Sequence, residues 1–244
     1  MSDPRVTNPY ATPTTTTGQP AAPAIVVDRR TSIAFLSHAF LWMFVGLLVS
    51  AGVAFVVTES RQLQQFAEGN LFLLLIAQLA IAFGISLGIN KMSATLALGL
   101  FFVYAASLGL TLGLIVGAYE EASVVGAFLS ASAMFGAAAV YGTVTKRDLT
   151  SIGAIAFMGI IGILVASLIN IFFASSQLSW IISIIGVVLF TALTAYDVQK
   201  IQQGALVQMT GSVEKAAVIG ALRLYLDFVN LFLFMLRLFG GGSR

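Results

Sequence analysis

The chain is predicted to be an all-α integral membrane protein with seven transmembrane helices, on three observations. Of its 244 residues, 59% are hydrophobic and only 9% are charged, where a soluble domain carries about 25%. The mean hydropathy is +0.98. The apolar residues fall into seven runs near the length of about 20 residues that crosses a bilayer. So much apolar surface cannot be hidden from water by a chain of this size, so lipid is its solvent.

The runs are placed at Ile33–Val57, Leu71–Asn90, Ser93–Gly117, Ala122–Gly142, Leu149–Ala174, Leu178–Tyr196 and Ala216–Phe239. Connections are short, apart from 58–70 and 198–215. Before the first run, residues 1–30 are rich in Thr, Pro and Ala, as in Thr12-Pro-Thr-Thr-Thr-Thr17. Such a segment buries too little to offset its ordering entropy, so 1–30 is expected to be a disordered cytoplasmic tail and 31–242 the membrane domain. The tail is not read as a signal peptide, because the apolar run after Arg29-Arg30 is too long for one.

Several function classes drop out. The chain has no cysteine, which excludes disulfides, thiolate nucleophiles and thiolate metal sites. Its net charge of +2 comes with no dense basic patch, so nucleic-acid binding is set aside. The one histidine, His38, has no second histidine nearby and reads as an interfacial polar residue rather than a ligand. No cofactor is expected.

Lys and Arg set the orientation. With the N-terminus inside, the inner segments hold Arg5, Arg29, Arg30, Lys91, Lys146, Arg147, Lys200 and Lys215; the outer ones hold Arg61, Arg237 and Arg244. Eight against three predicts a cytoplasmic N-terminus and an outer C-terminus. Small residues at four-residue spacing predict close helix packing: Gly84 and Gly88; Gly109, Gly113 and Gly117; and the Ala133, Gly136, Ala137, Ala138 and Gly142 series.

Two acids interrupt the last two runs, Asp197 in the sixth and Asp227 in the seventh. An acid inside a membrane span is expensive, and therefore a candidate functional residue. Topology puts Asp197 at the cytoplasmic end of its run. Asp227 lies 11 residues into a run starting at Ala216, roughly 16 Å at 1.5 Å per residue. The second run ends on the same side with Asn90-Lys91, and Arg223 stands one turn before Asp227, an i, i+4 pair. Four ionisable groups can therefore converge. Two carboxylates close together in a low dielectric cannot both ionise cheaply, so they tend to share a proton. A fixed internal salt-bridge network is the bland alternative.

At these residues the chain resembles the Bax inhibitor-1 family, the transmembrane Bax-inhibitor-motif proteins, and in particular its bacterial members. The carrying motifs are Thr194-Ala-Tyr-Asp197-Val-Gln-Lys-Ile-Gln202, Leu222-Arg-Leu-Tyr-Leu-Asp227-Phe-Val-Asn230-Leu-Phe232 and Leu236-Arg-Leu-Phe-Gly240. The resemblance implies a last helix at the centre, wrapped by the other six. It also implies a pH-sensitive calcium leak, with Ca²⁺ the transported ion and the Asp197–Asp227 pair as gate. In some members an Arg at the end of span two latches the span-six aspartate; Lys91 stands at the matching position, as a point charge without the planar fork. Arg223 is a second departure, a cation beside Asp227. Calcium takes several oxygen ligands, and Asn230 and Thr194 could join the two acids; no resident metal site is assigned.

Two further readings stand beside the channel. Some bacterial members are described as restraining a membrane protease without transporting ions, and the tail would suit such a contact. An intramembrane aspartyl protease is discounted. Its second acid follows Gly-x-Gly, whereas Asp227 follows Leu-Tyr-Leu, and no proline occurs after residue 23. The chain is read as a non-enzyme of the plasma or inner membrane, in contact with lipid, Ca²⁺ and protons.

Overall fold

The computed structural model describes residues 29–240, and the side chains from residue 35 onward. Of the tail expected over 1–30, residues 1–28 lie outside the described residues, as do Gly241 to Arg244, while Arg29 and Arg30 already belong to the first helix. With no water in the hydrocarbon layer, each backbone N–H and C=O must pair within its own segment, and a helix does this. The helices are α1 (Arg29–Glu59), α2 (Arg61–Gly69), α3 (Leu71–Gly88), α4 (Ala94–Val116), α5 (Glu121–Val144), α6 (Thr150–Phe173), α7 (Ser176–Gln202), α8 (Ala205–Thr210) and α9 (Val213–Gly240). A 3₁₀ turn, Ile89–Lys91, follows α3.

Seven of these, all but α2 and α8, are long and apolar enough to cross a membrane. They match the seven predicted runs, with three larger differences in extent, the first being that α1 starts at Arg29, four residues before Ile33. α7 continues past Tyr196 to Gln202, and α9 begins at Val213, because polar residues at a helix end stay helical once they reach the interface. The two longer connections are not irregular: α2 and α8 occupy them. Ser60 caps α2 by accepting from the Leu63 N–H, and Gly204 and Gly211, both at positive φ, bracket α8.

α9 is the axis. In its most apolar stretch 72% of residues are buried, against 17% for α3 and for α6. α1, α5 and α7 line it closely; α4, α8 and α3 touch it less, and α6 packs chiefly on α7. The outer faces carry the exposed apolar side chains that lipid solvates, Phe72, Leu87 and Phe172 among them.

The small-residue stripes divide. Gly109 sits against the Ser50 carbonyl and Val53, and Gly113 against Val57, which brings α4 onto α1. Gly142 lies on the Ala195 carbonyl, joining α5 to α7. Gly84 and Gly136 meet nothing, and Gly88 meets only the tip of Met92. Spacing alone does not say which side of a helix faces lipid, so the packing role expected for these three does not hold.

Polar pairs stitch the interior. The Ser50 hydroxyl donates to the Ala105 carbonyl at 2.7 Å and lies 2.6 Å from the Tyr225 hydroxyl, tying α1, α4 and α9 together. Gln78 of α3 donates to Thr111 of α4 at 2.9 Å. Gln199 of α7 clamps the start of α6, accepting from the Leu149 N–H at 2.9 Å and donating to the Arg147 carbonyl at 2.8 Å. That clamp, with Lys200 at 3.8 Å from Asp148 and Lys215 donating to the Asn90 carbonyl at 3.3 Å, gathers most of the basic connections at one end of the bundle.

Candidate functional site

The site is built where α7 and α9 pack. Arg223, Leu226, Asp227 and Asn230 recur at i, i+3, i+4 and i+7 and so share one face of α9. Asp197 stands five residues before the end of α7. Both acids are deeply buried, Asp197 at 5% and Asp227 at 2% exposure. α9 begins three residues earlier than predicted, so Asp227 is 227 − 213 = 14 residues into a 28-residue helix. It therefore sits at the middle of the helix.

The expected i, i+4 pairing of Arg223 with Asp227 gives way to a contact across the interface. The guanidinium Nη1 of Arg223 is 3.4 Å from Oδ1 of Asp197. A helical side chain leans toward its own N-terminus, so a cation placed before an acid points away from it, the less favourable order for such a pair. Arg223 leans toward the end of the bundle where α7 terminates, and Asp197 meets it there. Asp227 remains within the electrostatic reach of both groups, but its Oδ2 is buried without a hydrogen-bond partner. A buried polar atom left in this state is uncommon and calls for a ligand, a proton or a motion to explain it.

Around these groups lies a half-open cavity of about 720 Å³. Asp197, Arg223, Asp227 and Asn230 form its polar side, with Tyr196 and Thr150. Its apolar wall comes from α6, α7 and one residue of α3, through Phe157, Ile160, Phe190 and Phe83. α6 packs on α7 rather than on α9, and the cavity lies between α6 and α9. Gly153 lets the α6 backbone come down on the Tyr196 ring, where a Cβ would lie 2.5 Å from ring carbons.

The remaining candidates take varied places. Thr194 is fully buried, donates to the Phe190 carbonyl at 2.8 Å and is close enough to interact with Asp227. Asn230 donates from Nδ2 to the Leu226 carbonyl at 2.8 Å, which leaves its own oxygen for another donor. Lys91 is exposed at the end of the 3₁₀ turn. It makes no ion pair among the described residues, and the cation on Asp197 is Arg223. His38 lines a separate cavity of about 390 Å³ with Trp42, Thr95 and Glu214. Among the described residues no three His, Cys, Asp or Glu are grouped to hold a metal.

The family model described as "Inhibitor of apoptosis-promoting Bax1" matches residues 33–244. The chain belongs to the Bax inhibitor-1 family. It is 42% identical to the inner membrane protein YbhL of Escherichia coli K12 over 227 residues, covering 91% of this chain and 97% of that one. An uncharacterized protein of Deinococcus radiodurans is 41% identical, over 86% of this chain and 90% of its own. One from Borreliella burgdorferi is also 41% identical, over 84% and 91%. In this member of the Bax inhibitor-1 family the sequence motifs around Asp197 and Asp227 meet in one cavity. Sequence reasoning missed the cavity's second wall, Thr150, Phe157 and Phe83. Gly153, one α6 turn from Thr150, marks that wall only once the Tyr196 ring is seen opposite it.

Proposed function

We propose that this protein is a pH-sensitive calcium-leak channel, gated by the proton-sharing pair Asp197 and Asp227. The observation that carries the reading is the unpartnered Oδ2 of Asp227, buried in the same cavity as Asp197. A group in this state exchanges a proton or recruits a cation. When both acids ionise, Arg223 compensates one of them and the second is open to Ca²⁺, a hard ion that takes oxygen ligands. Asn230 and Thr194 would supply further oxygens, and Arg223 would have to swing clear. Protonation removes the attraction for the ion. Nothing in this scheme requires an enzyme.

The resemblance to a named inner membrane protein and the basic end of the bundle support a place in the cell membrane with the N-terminus in the cytoplasm. A reporter fused after Arg244 should then read as outside, and one at Lys146 as inside. The deciding experiment is Ca²⁺ uptake into liposomes carrying the purified protein, from pH 6 to pH 8. Uptake that rises with pH supports the channel. No uptake above empty liposomes at any pH would sink it and leave a non-transporting regulator of a membrane partner, such as a protease.

A further inference from the structure

The cavity between α6, α7 and α9 is larger than a calcium ion needs. At about 720 Å³ it falls in the range of sites that hold a small organic molecule, about 300–1,000 Å³. Its construction also follows that pattern, a mostly apolar wall with a few polar groups converging at one side. Phe83, Phe157 and Phe190 are on the wall, and Phe83 and Phe157 are themselves exposed on the lipid side. An apolar molecule dissolved in the bilayer can therefore enter sideways.

The polar side selects the charge. Asp197 and Asp227 are opposed there by Arg223 alone. Neither α6 nor α3 contributes a charged group to the lining. Arg223 is committed to Asp197 at 3.4 Å, so when both acids are ionised the charge left uncompensated is on Asp227. Its Oδ2 lacks a donor, and the Asn230 oxygen lies one turn further along α9. An N–H donor with a positive charge satisfies both. A quaternary ammonium would bring charge without the donor.

We propose that this cavity binds a protonated amphipathic amine, its ammonium on Asp227 and Asn230 and its apolar body against Phe83, Phe157 and Phe190. The proposal goes beyond the calcium reading and does not rest on it. Two sources offer this chemistry, a free alkyl or arylalkyl amine and an aminophospholipid.

The test is equilibrium binding of radiolabelled 4-phenylbutylamine to the protein in phosphatidylcholine nanodiscs, with empty nanodiscs as the baseline. One saturable site per chain is expected. Asp227→Asn should weaken it about tenfold or more, the range of a hydrogen bond to a charged group, and the neutral 4-phenylbutanol should show no saturable site. Ala154→Phe, at an exposed position lining the cavity, should weaken binding without touching the acids, and covers the case in which Asp227→Asn fails to fold. If nanodiscs containing phosphatidylethanolamine abolish probe binding, the occupant is the aminophospholipid; if they do not, it is the free amine. Absence of a saturable site, or equal binding of the alcohol, overturns the proposal. So does unchanged binding in both variants. None of these outcomes depends on whether calcium is conducted.

Discussion

The guanidinium of Arg223 reaches across from α9 to Asp197 on α7, at 3.4 Å, while Asp227, one turn further along its own helix, keeps a buried oxygen with no partner. Arg223 thus holds one acid and leaves the other available. Breaking a buried ion pair by deleting one partner costs about 3–5 kcal/mol, but the Arg223 side chain is 40% exposed, so screening reduces this to about 1–2 kcal/mol. Arg223→Ser should lower the thermal midpoint in detergent accordingly. It should also raise the pH at which flux is half-maximal, because a cation that favours the ionised carboxylates has gone. A flux midpoint that stays put would show that Arg223 is a structural tie only.

Lys91 gives the contrasting case. It stands where a latch onto Asp197 was expected, yet it is exposed and Asp197 is already paired with Arg223. Lys91→Ala and Lys91→Arg should both leave liposome flux unchanged, where Arg223→Ser alters it. Raised flux in Lys91→Ala would restore the latch to Lys91, in a state other than the one described here.

The glycines provide a test of packing. An alanine at Gly142 would press its Cβ into the Ala195 carbonyl, a backbone atom that cannot move aside. Overpacking of this kind costs about 1–3 kcal/mol. Gly84→Ala and Gly136→Ala meet open space and should be neutral or stabilising by up to about 1 kcal/mol, since alanine is the better helix former. Thermal unfolding of the three variants in one detergent measures the difference. No loss at Gly142 would mean that the α5–α7 contact is looser than the close approach to the Ala195 carbonyl implies.

How much of this was legible in the sequence depends on the physics involved. The seven spans were legible because lipid demands long apolar runs, and the Ile33–Val57 to Ala216–Phe239 series matches the helices closely. The acids were legible because a carboxylate in such a run stands out. The partner of Arg223 was not, since helical spacing gives the angle of a residue but not which neighbouring helix lies opposite. The orientation of Gly84 and Gly136 was hidden for the same reason. The aromatic wall of the cavity was hidden more deeply, because Phe83 and Phe157 look like any lipid-facing residue until α3 and α6 are placed.

Asp148 offers a pH effect outside the membrane spans. Its Oδ1 accepts from the Thr150 hydroxyl at 2.5 Å and from the Thr150 N–H at 2.9 Å. These bonds, the hydroxyl first, hold its carboxyl below the usual carboxylate range, with a smaller contribution from Lys200. A carboxylate depressed in the folded state contributes stability that is present above its unfolded value, about 3.9, and is lost as pH falls through the folded one. Asp148→Asn should therefore lower the thermal midpoint slightly at pH 7, and the gap to the unsubstituted protein should close below about pH 4. A gap that persists in acid would assign the effect to the hydrogen-bond geometry with Thr150 and not to the charge.

The acid pair carries the most specific expectation. Asp197 and Asp227 come from different helices, are both buried, and line one cavity whose only cation, Arg223, is paired with Asp197. Groups coupled this way titrate as a unit, so flux should follow a pH profile that belongs to the pair. Asn keeps the size and most of the hydrogen bonding of Asp while removing the charge and the proton. Asp197→Asn and Asp227→Asn should each abolish the pH dependence of flux, and the double variant should be little worse than either single, because residues coupled in one charge network are not additive. Stability should divide the two. Asp227→Asn replaces a buried carboxyl that has an unpartnered oxygen and should be tolerated or stabilising. Asp197→Asn strips Arg223 of its partner and should destabilise by about 1–2 kcal/mol after allowing for the exposure of Arg223. Flux against pH and thermal unfolding on the same three variants check both halves. A pH response that survives in both single variants, with stability alone reduced, would make the pair a structural lock and remove the gate from the proposed function.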